Sequence, residues 1–99
     1  MRRHVRIEYT LKPEIDLATY KSEVGAFVSG MHADHASHTY AVYQHEKNER
    51  RFTHVGSFDA ERVAAMQKQA FFEKFSAYLR EAAIGGPDVQ MVGPVATTS

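Results

Sequence analysis

Residues 49–58 read ERRFTHVGSF, and this stretch decides the fold that we predict for the chain. Side chains alternate between the two faces of an extended strand. One face carries Phe52, His54, Gly56 and Phe58. The other face carries Arg51, Thr53, Val55 and Ser57. Because apolar side chains occur on both faces, we predict a strand in the middle of a sheet, covered by helices on one side and by a second subunit on the other.

The residues before this stretch predict a strand, a helix and a second strand. Polar and apolar residues alternate over residues 4–11, which is typical of a strand. Asp16 can cap a helix, and apolar residues recur at helical spacing over residues 17–31. Gly30 is a suitable C-terminal stop for that helix. Residues 38–45 have strand composition, and a charged turn joins them to the opening stretch, which predicts a hairpin.

The residues after this stretch predict two helices and a last strand. Asp59 can cap a short helix. A longer helix follows, with a stripe of phenylalanines within residues 71–75, and it ends at Gly85-Gly86-Pro87. Residues 89–96 are predicted to form the last strand at a sheet edge. Pro94 fits an edge, because proline has no N–H to donate to a neighbouring strand.

The order of elements is therefore β-α-β-β-α-β, which predicts a single α+β domain over residues 1–99. The fold class is ferredoxin-like, a four-stranded antiparallel sheet with helices on one face. The other face is bare in a monomer, so we predict a homodimer of the dimeric α/β-barrel kind. A monomer with a half-polar open face is the alternative, because antiparallel sheets can be solvated on one side.

The composition excludes several classes of function. Twelve basic and twelve acidic residues cancel in charge, so we expect binding neither to nucleic acid nor to a membrane. The chain has no cysteine, which excludes disulfides, thiolate catalysis and zinc–thiolate sites. The basic start is followed by no apolar stretch, so we expect neither a signal peptide nor a membrane span. A cytoplasmic protein is the expectation.

Residues 49–58, the later stretch FFEKF at residues 71–75 and the order of elements together resemble the antibiotic biosynthesis monooxygenase family. That family belongs to the dimeric α/β-barrel superfamily, and the likeness covers nearly the whole chain. The resemblance implies a cofactor-independent oxygenase that acts on a quinol or a dihydroxy-aromatic, without metal or flavin. The protein would supply an apolar pocket, a base and hydrogen bonds to an oxyanion.

The chain departs from this family at two places. Many members have a tryptophan after the third strand, where Phe58 stands here, and histidines in the second helical region. Gln67 and Phe72 occupy that region in this chain. Glutamine cannot act as a base, so a proton would have to be accepted elsewhere.

His54 is the residue that we predict as the base. It shares a strand face with apolar neighbours, and a histidine there could accept a phenolic proton near neutral pH. Tyr9 and Tyr43 are predicted to donate hydrogen bonds, with Tyr43 preferred over Tyr40. The residues predicted to bind substrate are Arg51, Phe52, Gly56, Phe58, Gln67 and Phe72, with Gly56 leaving a gap above the sheet.

Each of these predictions has a structural alternative. His54 could be hydrogen-bonded in the core or at a dimer interface, and the tyrosines could serve only in packing. Arg51 could hold an anionic oxygen or form a surface ion pair with Glu8 or Glu46. The whole protein could be a non-catalytic ligand-binding or protein-interaction module on the same scaffold, since fold alone does not determine function.

His32, His35 and His38 are spaced by three. On a helix this spacing could gather ligands for a divalent metal, but the three histidines follow Gly30 in a polar stretch that we predict to be a loop, so no metal site is expected. A haem-binding protein of this superfamily would need an axial histidine in residues 59–84, which contain none.

Overall fold

The computed structural model describes residues 1–33 and 38–97. Its strands are β1 (Arg2–Thr10), β2 (Thr39–His45), β3 (Asn48–Asp59) and β4 (Asp88–Val92). Its helices are α1 (Leu17–Ala33), α2 (Val63–Gln67), which follows a short 3₁₀ turn, and α3 (Ala70–Ala82). The strands pair antiparallel in the order β2-β3-β1-β4. The predicted α+β ferredoxin-like class is confirmed.

One face of the sheet packs against the helices and forms the core. The register pairs His54 of β3 with Ile7 of β1 and with Val42 of β2, so His54 lies in the middle of the sheet. The buried cluster between sheet and helices includes Phe27 of α1 and Phe75 of α3. None of the helices in the described part of the chain is long and apolar enough to cross a membrane.

Helix α1 begins as predicted but ends later. The Asp16 carboxylate accepts hydrogen bonds of 2.9 Å from the backbone N–H and the hydroxyl of Thr19, which caps the helix. Gly30 does not end the helix, which continues to Ala33. A Cβ atom at Gly30 would lie 2.4 Å from the ring of Phe71. This glycine is therefore a point of close approach between α1 and α3.

Three further details differ from the prediction or refine it. The Asp59 carboxylate does not cap the following helical turn, because it accepts a hydrogen bond of 2.9 Å from Nε2 of His38. Strand β4 is shorter than predicted and ends before Pro94. Gly85 and Gly86 have φ values of 68° and 80°, the left-handed backbone that favours glycine after a helix.

The face of the sheet that lies away from the helices is mixed in character. The Glu8 carboxylate is 2.8 Å from the guanidinium of Arg6 and 3.3 Å from that of Arg51. Large apolar side chains beside this charged cluster are exposed, namely Tyr43, Val55 and Val92. We refer to this surface as the open face.

Candidate active site

A cavity of about 610 Å³ lies between the sheet and the helices. Its walls are mostly apolar and come from several elements, including Ile7 of β1, Phe27 of α1, Phe75 of α3 and Met91 of β4. This size and character are typical of a pocket for a small organic ligand. The cavity lies between sheet and helices, where a substrate pocket was predicted, and its use as a substrate pocket stays a prediction.

His54 lies on the floor of this cavity and is only 1% exposed. Its Nε2 atom is 2.6 Å from the hydroxyl of Tyr9, and its Nδ1 atom is 2.7 Å from the hydroxyl of Tyr40. Both ring nitrogens thus have a phenolic partner. Burial lowers the pKa of His54 to about 4, because the charged imidazolium loses its hydration. The ring is neutral at pH 7.

Tyr20 extends this arrangement into the core. Its hydroxyl is hydrogen-bonded to that of Tyr9, so a continuous series Tyr20–Tyr9–His54–Tyr40 runs from helix α1 to the cavity. Burial raises the pKa of each of the three tyrosines, so their hydroxyls stay protonated. The imidazole is therefore the group in this series best suited to accept a proton.

The series can run in two directions, because a neutral imidazole has one donor and one acceptor. In the inward direction, Tyr40 donates to Nδ1, Nε2–H donates to Tyr9, and Tyr9 donates to Tyr20. In the outward direction each donation is reversed, and the Tyr40 hydrogen is free for a ligand. Within the described residues, the Tyr20 hydroxyl has no hydrogen-bond partner besides Tyr9. The inward direction leaves its hydrogen without an acceptor, at a cost of about 1–3 kcal/mol.

Gly56 determines where Tyr40 lies. A Cβ atom at this position would be 2.5 Å from Cδ2 of the Tyr40 ring, so the ring lies directly across the glycine. The predicted gap above Gly56 is therefore wrong, since the Tyr40 ring occupies that space. The lack of a side chain at Gly56 is what lets the Tyr40 hydroxyl reach His54.

The other predicted site residues on the helix-facing side divide into two groups. Phe58, Gln67 and Phe72 line the cavity together with His54. Tyr9 and Phe52 lie behind it, in the core. Phe52 packs against Tyr20 with ring centroids 4.3 Å apart and does not line the cavity.

Two predicted site residues lie on the open face. Tyr43 pairs with Thr53 and is 59% exposed, so it does not face the helices, and the preference for Tyr43 over Tyr40 is wrong. Arg51 donates to the Thr10 hydroxyl at 3.1 Å and to the Glu8 carboxylate at 3.3 Å, which is the surface ion pair considered as its alternative. The physical reason is strand alternation, which turns Tyr40 inward and Tyr43 outward.

Four residues of the site were missed by sequence reasoning. Tyr20 was recognised only as part of an apolar helix stripe, and the cavity-lining Arg3, Ser76 and Arg80 were not singled out. The alternation of β1 signals that Arg3 lies on the same face as Val5. The spacing of Ser76 and Arg80 within α3 signals a shared helix face.

The histidines considered as metal ligands do not converge in the described residues. His32 lies in the last turn of α1, and His38 is engaged with Asp59. His35 lies outside the described residues. Over residues 1–33 and 38–97, no group of three histidine, aspartate or glutamate side chains is arranged to hold a metal ion.

Comparison with solved structures supports the fold, whereas the two comparisons by sequence find no match. No family model matches the chain, and no curated protein matches it. Solved structures do match over nearly its whole length. Rv0793 from Mycobacterium tuberculosis has a TM-score of 0.84 at 11% identity, with all of both chains covered.

Two further structures carry names that describe an activity. One is an antibiotic biosynthesis monooxygenase, with a TM-score of 0.83 at 13% identity over 97% of this chain and 100% of that one. The other is SnoaB, a cofactor-independent oxygenase from Streptomyces nogalater, with a TM-score of 0.82 at 9% identity over 98% and 96%. The chain has the fold of the antibiotic biosynthesis monooxygenase type, as the sequence resemblance predicted.

Proposed function

We propose that the protein is a cofactor-independent monooxygenase that oxidises a quinol or a dihydroxy-aromatic in the cavity between sheet and helices. One observation carries the proposal: His54, neutral and buried, is hydrogen-bonded to Tyr40 at the floor of an apolar cavity of about 610 Å³. The fold shared with SnoaB, itself a cofactor-independent oxygenase, adds support.

Deprotonation of the substrate begins with a phenolic hydroxyl that donates to the Tyr40 oxygen. With the series in its inward direction, the substrate proton moves to Tyr40 while the Tyr40 proton moves to Nδ1 of His54. His54 becomes an imidazolium that donates to Tyr9 and Tyr40, and Tyr40 donates to the new substrate anion. No tyrosinate forms, which agrees with the raised pKa of Tyr40.

The lowered pKa of His54 restricts this step to a bound substrate. An imidazolium in an apolar site is unfavourable alone, but the adjacent substrate anion compensates its charge. The anion and the imidazolium therefore form together and are separated only by the Tyr40 hydroxyl. This coupling limits deprotonation to a correctly placed ring, which is the positioning role expected of such a site.

The substrate anion then transfers one electron to O₂, and the two radicals combine to form a carbon–oxygen bond. The resulting peroxide anion takes the proton from His54. Loss of the hydrogen on the same ring carbon breaks the O–O bond, so that one oxygen remains as a quinone carbonyl. The other oxygen leaves as water, and the substrate supplies all the electrons. The mostly apolar walls surround these charged intermediates.

A second candidate function is a non-catalytic binding module for a ring compound that carries a carbonyl. The observation that favours it is that, within the described residues, the Tyr20 hydroxyl has no hydrogen-bond partner besides Tyr9. The outward direction gives the Tyr20 hydrogen an acceptor and leaves the Tyr40 hydrogen for the ligand. In this role His54 accepts no proton from the ligand and only orients Tyr40.

Aerobic turnover tests the two candidates against each other. A panel of dihydroxynaphthalenes and anthrones is followed by oxygen uptake with the parent, with His54→Ala and with Tyr43→Phe as an open-face control. The oxygenase requires oxygen uptake that His54→Ala loses and Tyr43→Phe keeps. Equal rates for the parent and His54→Ala contradict the role of His54, and binding without any oxygen uptake supports the module.

A cytoplasmic homodimer belongs to the same proposal. The exposed Tyr43, Val55 and Val92 lie on the open face, where a second sheet would remove them from water. The charged cluster around Glu8 would lie in the same interface, with its cations already paired.

A further inference from the structure

The polar lining of the cavity is biased in charge. The polar side chains that line it are Arg3, Tyr40, His54, Gln67, Ser76 and Arg80. Two of these six residues are arginines, and no carboxylate is among the described residues that line the cavity. An apolar site with one sign of charge attracts a ligand of the opposite sign.

Arg80, Gln67 and Ser76 lie together at one end of the cavity, which we call the polar end. All three also line an adjoining opening of about 420 Å³, so they stand where the two spaces meet. Ser76 and Arg80 are four residues apart on α3, which places them one turn apart on the same face. Among the described residues that line the adjoining opening, Glu73 is the one with a carboxylate, and it does not line the cavity.

The charge of these arginines is not compensated within the described residues. Neither Arg3 nor Arg80 takes part in an ion pair or a side-chain hydrogen bond across residues 1–33 and 38–97. Other arginines are engaged: Arg50 donates to the backbone carbonyls of Lys12 and Ile15 at 3.0 and 2.8 Å, and Arg51 pairs with Glu8. Arg3 and Arg80 are thus two guanidinium groups at the cavity without an ion pair among the described residues.

We propose that the ligand of this cavity is an aromatic carboxylic acid, whose carboxylate binds Arg80 at the polar end. The planar guanidinium matches a carboxylate with two parallel N–H donors, and Gln67 and Ser76 supply further donors. Arg3 adds a second positive charge at the same cavity. The inference deepens the proposed function, because it makes the substrate a hydroxylated aromatic acid.

Binding of a matched pair of probes that cannot be oxidised tests this inference without turnover. The probes are 2-naphthoate and its neutral isostere 2-naphthamide, and their affinities are measured by calorimetry at low and high salt. The parent is expected to bind the acid at least about tenfold more tightly than the amide. This preference should shrink as salt is raised, because the interaction is between charges.

Three variants test whether Arg80 causes the preference for the acid over the amide. Arg80→Gln should lose most of the preference for the acid, with Arg3 as the remaining positive charge, and Arg80→Lys should recover part of the difference because it restores a point charge. Lys74→Gln is the control, since it removes the same charge from an exposed position on α3 that does not line the cavity. Thermal unfolding of each variant verifies that it is folded before the affinities are compared.

The inference is overturned if the parent does not prefer the acid, if Arg80→Gln keeps the preference, or if the acid shows no binding at millimolar concentration. These outcomes are separable from failure of the proposed function. An acid preference without oxygen uptake from any hydroxylated naphthoate would retain the anion site and reject the oxygenase. Rapid oxidation of uncharged dihydroxynaphthalenes without an acid preference would do the reverse.

Discussion

The hydroxyl of Tyr40 lies 2.7 Å from Nδ1 of His54, while the Tyr40 ring lies across the bare backbone of Gly56. This relationship places a phenolic hydroxyl between the cavity and a buried imidazole. A ligand hydroxyl or carbonyl that is hydrogen-bonded to the Tyr40 hydroxyl is therefore linked to Nδ1 of His54 through that hydroxyl alone. The chemistry proposed for the site depends on this contact.

Replacement of Tyr40 by Phe removes the hydroxyl but keeps the aromatic ring, so it tests the role of the hydroxyl alone. The ring remains over Gly56, but Nδ1 of His54 loses its partner, so we expect kcat for oxygen uptake to fall by about a hundredfold. The free energy of unfolding should fall by about 1–3 kcal/mol, because a buried polar atom is left unsatisfied. Steady-state oxygen consumption and chemical denaturation measure the two effects. Tyr43→Phe, on the open face, should change neither by much.

Stability should depend on the ionisation of His54. Its folded pKa is about 4 and its ordinary value is 6.5, so the unfolded chain binds the proton more tightly. The free energy of unfolding should therefore fall as the pH is lowered from about 6.5 to about 4, by about 3 kcal/mol in all. Denaturation at a series of pH values measures this slope.

The matching control for this pH dependence is His54→Gln, which should lose the slope in the same window. Hydrogen bonds also lower the pKa of Asp16 and Asp59, but these carboxylates are exposed and lose their contribution at lower pH. A slope that is the same in the parent and in His54→Gln would show that the imidazole is not buried as described.

The direction of the Tyr20–Tyr9–His54–Tyr40 series should be visible in the tautomer of His54. In the free protein we expect the proton on Nδ1, because only the outward direction gives the Tyr20 hydrogen an acceptor. A ligand with a free phenol should shift the proton to Nε2 if the protein is an oxygenase. Nitrogen NMR of labelled histidine distinguishes the two forms. A phenolic substrate that is oxidised while the tautomer stays unchanged contradicts the proposed route of the proton.

Two glycine-to-alanine substitutions should act in opposite directions. Gly56→Ala places a Cβ atom 2.5 Å from the Tyr40 ring, so we expect a loss of about 1–3 kcal/mol in the free energy of unfolding and a slower reaction. Gly25→Ala meets nothing within 4 Å in helix α1, so it should stabilise the protein by up to about 1 kcal/mol. Thermal unfolding and oxygen uptake compare the pair. Full activity in Gly56→Ala would show that the reaction does not depend on the position of the Tyr40 ring.

The open face should be the surface of self-association. The parent is expected to have the mass of a dimer by light scattering at micromolar concentration. Val55→Lys introduces a charge at the centre of this face and should yield a monomer, because the charge would be buried in the interface. Ala18→Lys, at an exposed position on helix α1, is the control that should remain a dimer. A parent that is monomeric at all concentrations contradicts the homodimer.

The sequence predicted the side of β3 that faces the helices but could not predict the side of β2. For β3, the phenylalanines at 52 and 58 determine which residues are inward, and His54 follows from the period of two. For β2, aromatic residues occur at both Tyr40 and Tyr43, so the pattern does not distinguish the faces. The register also shifts between Gln44 and His45, and counting back from the turn therefore fails.

Features that depend on neighbouring residues in sequence were predictable, whereas features that depend on distant residues were not. The cap at Asp16 and the glycines after α3 were predictable, because each depends on neighbours in sequence. Gly30 was misjudged, because its role is set by Phe71, which is distant in sequence. The free charge of Arg80 could not be predicted either, since it depends on which acidic residues the fold brings close.

One wall of the cavity comes from β4, a strand of five residues that pairs with β1 alone. Val89 and Met91 on this strand line the cavity and are also partly exposed to solvent. Detachment of so short an edge would admit or release a bulky ring while β1, β2 and β3 stay intact. Ligand residence time should then follow the fraying of β4, whose amides should exchange with deuterium well before those of β3.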